Sequence, residues 1–409
     1  MADQAGKTVS ANDKIRIGCI GLGAQGMGNL NGFMNHPEVD VVAVCDVDSD
    51  LLKKATSAVL KKQLHMPLAV KDFRHVLDRR DIDAVVISTP DHWHALPFIM
   101  ACEAGKDVFC EKPISHDIVE AQSMVGAAEH YKRVVQVNTM QRSSGHFRDA
   151  IDFVRAGGLG KVNICRAWIC GSRVVGVNPV KEPPAHLDWD FWLGPSAKSA
   201  YHGNIHPYMW RYYSNWGTGQ SGNWGAHMID IVLLGMNERH PLEVSSVGGR
   251  LAYGDGDGDM PDTLMAVYRF PGFMMQWEVH TTREGLDGGG NHGSEFIGEK
   301  GKLIVDRGGV KWSPYGEHPG PEKKHENADH IADFLDSMRT RGTCRSDIET
   351  MYYTTACCHL ANLAYQAGRS IKWDGEKGVI VGDRKAMDLP AYRREYRKPW
   401  KLPYYRWNG

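Results

Sequence analysis

Short apolar runs separated by helical patterns make up the first third of the chain. A helical pattern lies, for example, at Val119–His130. Because strands that alternate with helices form parallel sheets, this part is predicted to be an α/β unit. Its predicted strands are Ile15–Ile20, Val39–Cys45, Ala84–Ile87, Asp107–Cys110 and Val134–Val137.

The pattern changes after about Asn138. Two longer stretches with alternating apolar residues, Leu264–Phe270 and Met274–Thr281, lie among turns rich in Gly and Pro. A period of two predicts an antiparallel sheet with one covered face. Two helices, at Asn327–Arg341 and Glu349–Arg369, are predicted near the end of the chain.

The length of 409 residues exceeds one ordinary core of about 150 residues, so two domains are expected. The change of pattern divides the chain into a tail at 1–13, a first domain at 14–138 and a second domain at 139–409. The basic, aromatic stretch from Tyr392 to Gly409 is predicted to be an arm that packs on the body or on a partner subunit.

Composition excludes several classes of protein. The net charge is -1 and basic residues are spread along the chain, so nothing favours nucleic-acid binding. No apolar run approaches the roughly 20 residues that a membrane span needs. Nine cysteines, two of them adjacent at Cys357 and Cys358, favour a reducing compartment, the cytoplasm. Met1–Asp13 has no apolar core typical of an export signal, although a signal removed beforehand would place the protein in the periplasm.

A glycine-rich turn follows the first strand directly. Gly21 permits a tight turn, Gly23 lets the backbone approach a pyrophosphate, and Gly26 lets the next helix pack on the strand. The helix N-terminus then offers free N–H groups to phosphates. Asp46 lies 20 residues past Gly26, at the end of the second strand, where a carboxylate bonds ribose hydroxyls and repels a 2′-phosphate. This combination predicts a Rossmann domain that binds NAD rather than NADP.

Two further segments follow predicted strands at the same edge of the sheet. Ser88-Thr89-Pro90 leads to His94, and Glu111-Lys112-Pro113 follows the next strand. Ligands bind at this edge of parallel sheets, so both segments are expected to border the nicotinamide ribose. His94 is equally well explained as a packing or capping residue. Lys112 has a side chain that can donate to a ribose or substrate hydroxyl.

These motifs, in this order, resemble the Gfo/Idh/MocA family of NAD(P)-dependent sugar and inositol oxidoreductases. Asn138, Gln141 and Arg142 resemble its domain junction, Asp190–Pro195 a motif of its second domain, and Asn223–Asp230 its catalytic helix. The resemblance covers nearly the whole chain. It implies an N-terminal Rossmann domain and a C-terminal α+β domain with an open, mainly antiparallel sheet. The substrate is then expected between that sheet and the nicotinamide.

The resemblance also implies a catalytic set of a Lys, an Asp and a His. Lys112 and His227 match it, but the Asp position is Asn223. Asn cannot accept a proton, so His227 is expected to be the main base. Asp230, one turn later, could orient His227 or cap the helix. The expected cofactor contacts are Gly21, Gly23, Ala24, Gln25, Gly26, Asp46, Ser88, Thr89, Pro90, His94, Glu111, Lys112 and Asn138.

An aromatic and polar cluster precedes the His227 helix. Aromatic rings stack on sugar faces, and Arg, Asn and His bond hydroxyls, although an aromatic core explains any single Trp as well. A loop from Arg283 to Gly293 could close over the substrate or be an ordinary turn. The expected substrate contacts are Gln141, Arg142, Trp192, Tyr201, His206, Arg211, Tyr213 and His227.

A bound metal is not predicted. Asp255–Asp259 begins like a calcium loop, but it has Met260 where Gly is needed and Ala266 where Glu is needed. The 19 histidines show no metal-ligand spacing. Assembly is expected through the uncovered face of the second sheet, where apolar side chains would mark an interface of a homodimer or homotetramer. The residues assigned to that face are Met265, Val267, Met275 and Trp277.

Three functions remain open from the sequence. The first is a dehydrogenase that oxidises a secondary hydroxyl of a sugar, sugar derivative or glycoside. The second, implied by some relatives of the family, is a glycosidase that oxidises a sugar transiently, with Tyr201 or Tyr213 as an additional acid or base. The third is a cofactor-binding sensor or scaffold without activity, which Asn223 in place of Asp would permit.

Overall fold

The described part of the chain, in a computed structural model, comprises residues 13–171, 175–252, 254–281 and 290–407. Most of the predicted tail, residues 1–12, lies outside it. The same holds for residues 282–289, the larger part of the predicted loop over the substrate.

The first sheet has six parallel strands in the order β3-β2-β1-β4-β5-β6. The inner strands are buried on both faces, as expected of continuous apolar runs. After β1, the chain adds β2 and β3 on one side of this strand and then crosses over to add β4 on the other side. A crevice therefore forms at the carboxyl ends of β1 and β4. The strands are β1 (Ile15–Ile20), β2 (Val39–Cys45), β3 (Leu68–Val70), β4 (Ala84–Ile87), β5 (Asp107–Cys110) and β6 (Val135–Val137).

Helices cross between these strands. Two of them have an N-terminal capping side chain. Asp48 accepts hydrogen bonds from backbone N–H groups in the first turn of α2, and Asp117 accepts one from the first turn of α5. No acidic residue lies in the first turn of α1, which starts at the glycine-rich turn. The helices are α1 (Ala24–Phe33), α2 (Ser49–Gln63), α3 (Arg74–Leu77), α4 (Ala95–Glu103) and α5 (Ile118–His130).

The second sheet has nine strands in the order β13-β12-β11-β7-β10-β9-β8-β14-β15. One pair, β7 with β10, is parallel, and the other pairs are antiparallel. Together the two sheets confirm the predicted α/β fold class. The strands are β7 (Val162–Cys170), β8 (Glu243–Gly249), β9 (Thr263–Arg269), β10 (Met274–His280), β11 (His292–Gly298), β12 (Gly301–Asp306), β13 (Gly309–Pro314), β14 (Ile371–Asp374) and β15 (Val379–Ile380).

Helices cover one face of the second sheet. The helices are α6 (Gly145–Arg155), α7 (Trp189–Leu193), α8 (Ala226–Met236), α9 (His330–Thr340) and α10 (Ile348–Ala367). Of these, α6, α8 and α10 contact the sheet. No helix in the described residues is long and apolar enough to cross a membrane.

The opposite face, which we call the outer face, corrects one prediction. Met265 and Val267 are exposed there, but Met275 and Trp277 are fully buried on the covered face. The register explains this, because Met275 lies opposite Tyr268 and Trp277 opposite Ala266, whose side chains belong to the core. The exposed apolar side chains of the outer face are Ile164, Val247, Met265, Val267 and Met274.

The end of the chain returns to the first sheet. Phe334 of α9 packs edge-on against Phe33 and Phe109. In the predicted arm, Trp400 contacts Trp93 with ring centroids 4.9 Å apart, and Arg394 pairs with the buried Glu120. Residues beyond 139 therefore contribute to the core of the first sheet, and the arm packs on its own chain.

Candidate functional site

A cavity of about 370 Å³ lies where the carboxyl ends of the first sheet face the second sheet. It runs from the glycine-rich turn to α8, so most residues assigned from the sequence meet in one space. The predicted site residues that line it are Gly21, Gly23, Ala24, Gln25, Asp46, Ser88, Thr89, Pro90, His94, Glu111, Lys112, Asn138, Trp192, His206, Arg211, Asn223 and His227.

The glycine-rich turn is shaped to admit a phosphate. Gly21 has φ of +86°, and a Cβ there would lie 2.7 Å from Thr89 N. A Cβ at Gly26 would strike Gly21 O, so this glycine serves packing and does not line the cavity. No atom lies within 4 Å of a Cβ position at Gly23, which leaves the start of α1 open. A pyrophosphate fits this space, because the first-turn N–H groups face no acidic side chain there.

Asp46 follows β2 and lies beside the glycine-rich turn. Its Oδ2 accepts a hydrogen bond from Leu22 N at 2.6 Å, and its Oδ1 accepts one from Asp48 N at 2.8 Å. These bonds fix the carboxyl group beside the glycine-rich turn. Burial raises its pKa to about 6, so the group is ionised at neutral pH and able to accept from ribose hydroxyls.

A buried hydrogen-bond network joins the strand ends. Glu111 Oε1 accepts from Asn138 Nδ2 at 2.6 Å and from Asn29 Nδ2 at 2.9 Å. Asn29, on α1, also donates to Ser88 Oγ at 3.0 Å, and sequence reasoning missed it. The ring nitrogens of His94 lie 2.8 Å from Thr89 O and 2.7 Å from Pro113 O, so His94 ties two strand-end segments together. The network ties the ends of β4, β5 and β6 to α1.

Lys112 connects the two sheets. Its Nζ donates to Asn223 O at 2.6 Å and to Asn223 Oδ1 at 3.0 Å. Asn223 lies in a single π-helical turn, Ser221–Gly225, which leads into α8. Such turns often mark functional sites because they redirect side chains. Burial lowers the pKa of Lys112 to about 8.

His227 follows that turn and lines the cavity. The side chain is only 4% exposed, and its Nδ1 has no hydrogen-bond partner among the described residues. Burial, and then the charges of Lys112 and Arg307, hold the pKa of His227 well below its usual value. The imidazole is therefore neutral at pH 7, which is the form that accepts a proton.

Asp230 and Arg142 form a buried ion pair. Arg142 Nε donates to Asp230 Oδ2 at 2.9 Å and Nη2 donates to Oδ1 at 2.5 Å. Thr354 Oγ1 also donates to Asp230. Neither residue is among those that line the cavity. Gln141 lies behind the site, with its Nε2 3.4 Å from His227 O.

The tyrosines assigned from the sequence also face away from the cavity. Tyr201 packs edge-on against Trp189 with centroids 5.1 Å apart, and Tyr213 donates to Asn204 Oδ1 at 3.1 Å. Other aromatic residues of the same stretch, Trp192, Tyr208 and Trp210, line the cavity instead. The irregular backbone between 175 and 220 gives no period from which this could be read.

The segment 178–216 covers the end of the crevice that contains Asp46. Ser49 N donates to His186 O at 2.8 Å, and Asp188 N donates to Val47 O at 3.1 Å. His206 Nε2 lies 2.9 Å from Asp48 Oδ2. This covering segment is therefore hydrogen-bonded to the connection between β2 and α2, next to Asp46.

Asp91 and Arg307 are among the further cavity residues that the sequence analysis did not assign. Asp91 Oδ2 accepts from Thr218 Oγ1 at 2.6 Å, and burial raises the pKa of this carboxyl. Its place after Ser88-Thr89-Pro90 was a usable signal. Arg307 lies in the turn between β12 and β13 and gave no signal, because it is far from any motif. Of the calcium-like stretch, Asp257 and Asp259 accept from backbone N–H groups of Asn178 and Ser214.

Comparison with solved structures gives the fold. The WlbA dehydrogenase from Bordetella pertussis, solved with NADH and UDP-GlcNAcA, superposes with a TM-score of 0.69 at 17% identity, over 88% of this chain and 99% of that one. The aldose-aldose oxidoreductase from Caulobacter crescentus, complexed with glycerol, superposes with a TM-score of 0.66 at 17% identity, over 88% and 100%.

Curated relatives match part of the chain. A glycosyl hydrolase family 109 protein from Shewanella pealeana is 32% identical over 165 residues, 38% of this chain and 35% of that protein. One from Shewanella woodyi is 33% identical over 156 residues, 36% and 32% of the two chains. The matched segment thus spans about a third of the length of these relatives.

Two family models match consecutive parts of the chain. Residues 15–139 match the oxidoreductase family, NAD-binding Rossmann fold, and residues 139–253 match the oxidoreductase family, C-terminal alpha/beta domain. Together they cover more than half of the 409 residues. NAD is therefore the cofactor of the first sheet, and the chain belongs to the Gfo/Idh/MocA oxidoreductase family.

Proposed function

We propose that the protein oxidises a secondary hydroxyl of a sugar, sugar derivative or glycoside by hydride transfer. The observation that supports this most directly is the meeting of Lys112 and His227. One comes from the end of β5 and the other from α8, yet both line one cavity that continues to the glycine-rich turn and Asp46.

His227 is the proton acceptor in this proposal. NAD, when bound, supplies the acceptor for the hydride. The substrate hydroxyl loses its proton to the neutral imidazole while the carbon loses hydride, so a ketone forms. The ammonium of Lys112 donates to the substrate oxygen and positions it. Asn223 holds Lys112 by two contacts and has no carboxylate to take the proton itself.

Cofactor contacts are proposed for the first-sheet wall. Gly23, Ala24 and Gln25 would hold the pyrophosphate at the start of α1, and Asp46 the adenosine ribose. The nicotinamide ribose would lie among residues of the strand ends. These residues are Ser88, Thr89, Pro90, His94, Glu111, Lys112 and Asn138. Thr89 Oγ1 supports this placement, since it is buried without a hydrogen-bond partner in the described chain.

A second candidate is a glycosidase that uses bound NAD for transient oxidation of the sugar. The names of the curated relatives favour it. So does the covering segment 178–216, because a reaction without net oxidation needs no exchange of cofactor. An additional acid or base would come from Tyr208 in this case, since it lines the cavity and Tyr201 and Tyr213 do not.

One assay separates the candidates. The NAD-loaded protein is incubated with a panel of sugars and nitrophenyl glycosides, and both NADH absorbance and nitrophenol release are followed. Net NADH supports the dehydrogenase. Nitrophenol without net NADH supports the glycosidase. Neither signal, in a protein that binds NAD, rejects both and leaves a sensor or scaffold.

The proposed assembly is a homodimer or homotetramer formed through the outer face. Its exposed apolar side chains, among them Val247 at 73% and Met265 at 48%, form the kind of patch that interfaces cover. We also propose a division at residue 138 into a cofactor domain and a substrate domain. A cytoplasmic location agrees with nine cysteines that are all free and buried.

A further inference from the structure

Most well-ordered arginines of this protein have a carboxylate partner. Arg142 pairs with Asp230, Arg394 with Glu120, and Arg341 with Asp107. Within the described residues, the two arginines that line the cavity, Arg211 and Arg307, pair with no carboxylate. A guanidinium keeps its charge in every environment, so Arg211 and Arg307 are two cations in the cavity that no paired carboxylate neutralises.

Arg211 is held in place without being neutralised. Its guanidinium carbon lies 4.1 Å from the ring centroid of Trp210 and 4.4 Å from that of Tyr208. Nη1 donates to Tyr208 O at 3.1 Å. Two aromatic rings and one carbonyl orient the fork and leave the other N–H groups for an acceptor in the cavity.

Arg307 is held in a similar way. Its guanidinium lies 4.6 Å from the ring centroid of Trp224, and Nε donates to Gln141 Oε1 at 3.2 Å. The terminal Nη1 and Nη2 remain for another acceptor. Burial lowers the pKa of this guanidinium and no carboxylate opposes the effect, which agrees with the absence of an ion pair in the described chain.

The carboxylates of the cavity already accept hydrogen bonds from neutral groups of the protein. Asp46 accepts two backbone N–H groups, Glu111 accepts from Asn29 and Asn138, and Asp91 accepts from Thr218. Lys112, at the end of β5, adds a third cation to the cavity. By formal charge, the substrate end then has three cations, Lys112, Arg211 and Arg307, against the two carboxylates of Asp91 and Glu111.

We propose that the substrate is a sugar acid, a uronate or aldonate, whose carboxylate is bound by Arg211 and Arg307. This inference rests on the proposed function, because it names the class of sugar that enters the same site. A carboxylate matches the planar fork of a guanidinium, and its charge supplies what the cavity side chains leave unbalanced. A neutral sugar would leave both arginines without a direct ion-pair partner.

Binding to the NADH-loaded protein tests this without turnover. Calorimetric titration compares glucuronate, galacturonate and gluconate with glucose and galactose, and glucose 6-phosphate is included as a phosphate. At least one acid is expected to bind about 10-fold or more tightly than its neutral counterpart. Arg211→Gln and Arg307→Gln should each weaken that acid about 10- to 100-fold, and the neutral sugar less than about 2-fold.

The control is Arg155→Gln, an exposed arginine on α6, which should change nothing. Equal binding of acids and neutral sugars overturns the inference, and so does binding of the phosphate alone. An equal loss for both members of a pair in the glutamine variants also overturns it. Failure of the proposed function is seen separately, as the absence of NADH and nitrophenol formation in the NAD-loaded protein, and leaves this result standing.

Discussion

On the first-sheet wall of the cavity, carboxylates are present and each has its own donors. Asp46 and Glu111 accept from backbone and side-chain groups of the same sheet. On the opposite wall, formed by the segment 175–225, α8 and the turn after β12, the charged groups are cations. Arg211 and Arg307 there are oriented by rings and carbonyl or amide oxygens.

This difference separates two tasks. A wall whose polar groups satisfy one another is rigid before the ligand arrives, which suits a cofactor common to a whole family. On the other wall, the charged donors are oriented but have no paired carboxylate. A ligand must supply the opposite charge, which suits the selection of a particular substrate. Lys112 lies between them, since it belongs to the first wall and bonds to Asn223 of the second.

Loss of the two groups that join the walls should have the largest effect. We expect His227→Ala and Lys112→Ala each to lower kcat about 10²- to 10⁴-fold, since proton transfer or positioning of the oxygen is lost. NAD affinity, measured by fluorescence titration, should change little, because the glycine-rich turn is untouched. Full turnover in His227→Ala would transfer the base role to another residue, with Tyr208 the next to test.

The outer face should respond to a charge nearly as strongly. Met265→Lys places an unpaired ammonium in the proposed interface, and self-association should weaken about 100-fold. Light scattering across a concentration series measures this. Leu60→Lys, an equally exposed apolar side chain on α2, is the matched control and should leave the assembly intact. A wild-type mass of 45.6 kDa at micromolar concentration would refute the proposed interface.

Cofactor choice tests the first wall alone. We expect NAD to bind at least about tenfold more tightly than NADP, because the Asp46 carboxylate repels a 2′-phosphate. Asp46→Ala should narrow this ratio, whereas Asp50→Ala, an exposed acid at the same corner, should not. Titration of both cofactors at pH 8, above the pKa of about 6 for Asp46, gives the ratio. Equal affinities in the wild type would remove the argument.

A smaller effect, on the pH dependence of activity, is expected from the contact between Lys112 and Asn223. With Lys112 required as the ammonium, activity should fall as pH rises through its pKa of about 8. Asn223→Asp places a carboxylate where Oδ1 now lies 3.0 Å from Nζ, which favours the ammonium and should move this decline upward by about one pH unit. Profiles of kcat/KM between pH 6 and 10.5 measure the shift. Coincident profiles would show that Lys112 does not govern the alkaline side.

Much of the first sheet could be predicted. The bounds of β1, β2, β4 and β5 coincide with the predicted apolar runs, because these strands are covered on both faces. The short edge strand β3 and most of the second sheet were missed, since half-exposed strands give weaker patterns. In β10, Met274 and Met275 are both apolar, so the alternation has no unique phase and only pairing with β9 decides which face is buried.

The sequence by itself determined the cofactor wall. Gly21, Gly23, Gly26 and Asp46 all belong to one strand–helix–strand unit, β1-α1-β2 with its turns, whose geometry is local. The other wall was decided by tertiary structure. Arg307 reaches the site from a turn 80 residues beyond His227, and Arg142, although next to the domain junction, is turned away to Asp230. A buried charge needs a partner, and that partner can be distant in the sequence. A local sequence pattern therefore does not indicate which carboxylate pairs with a given arginine.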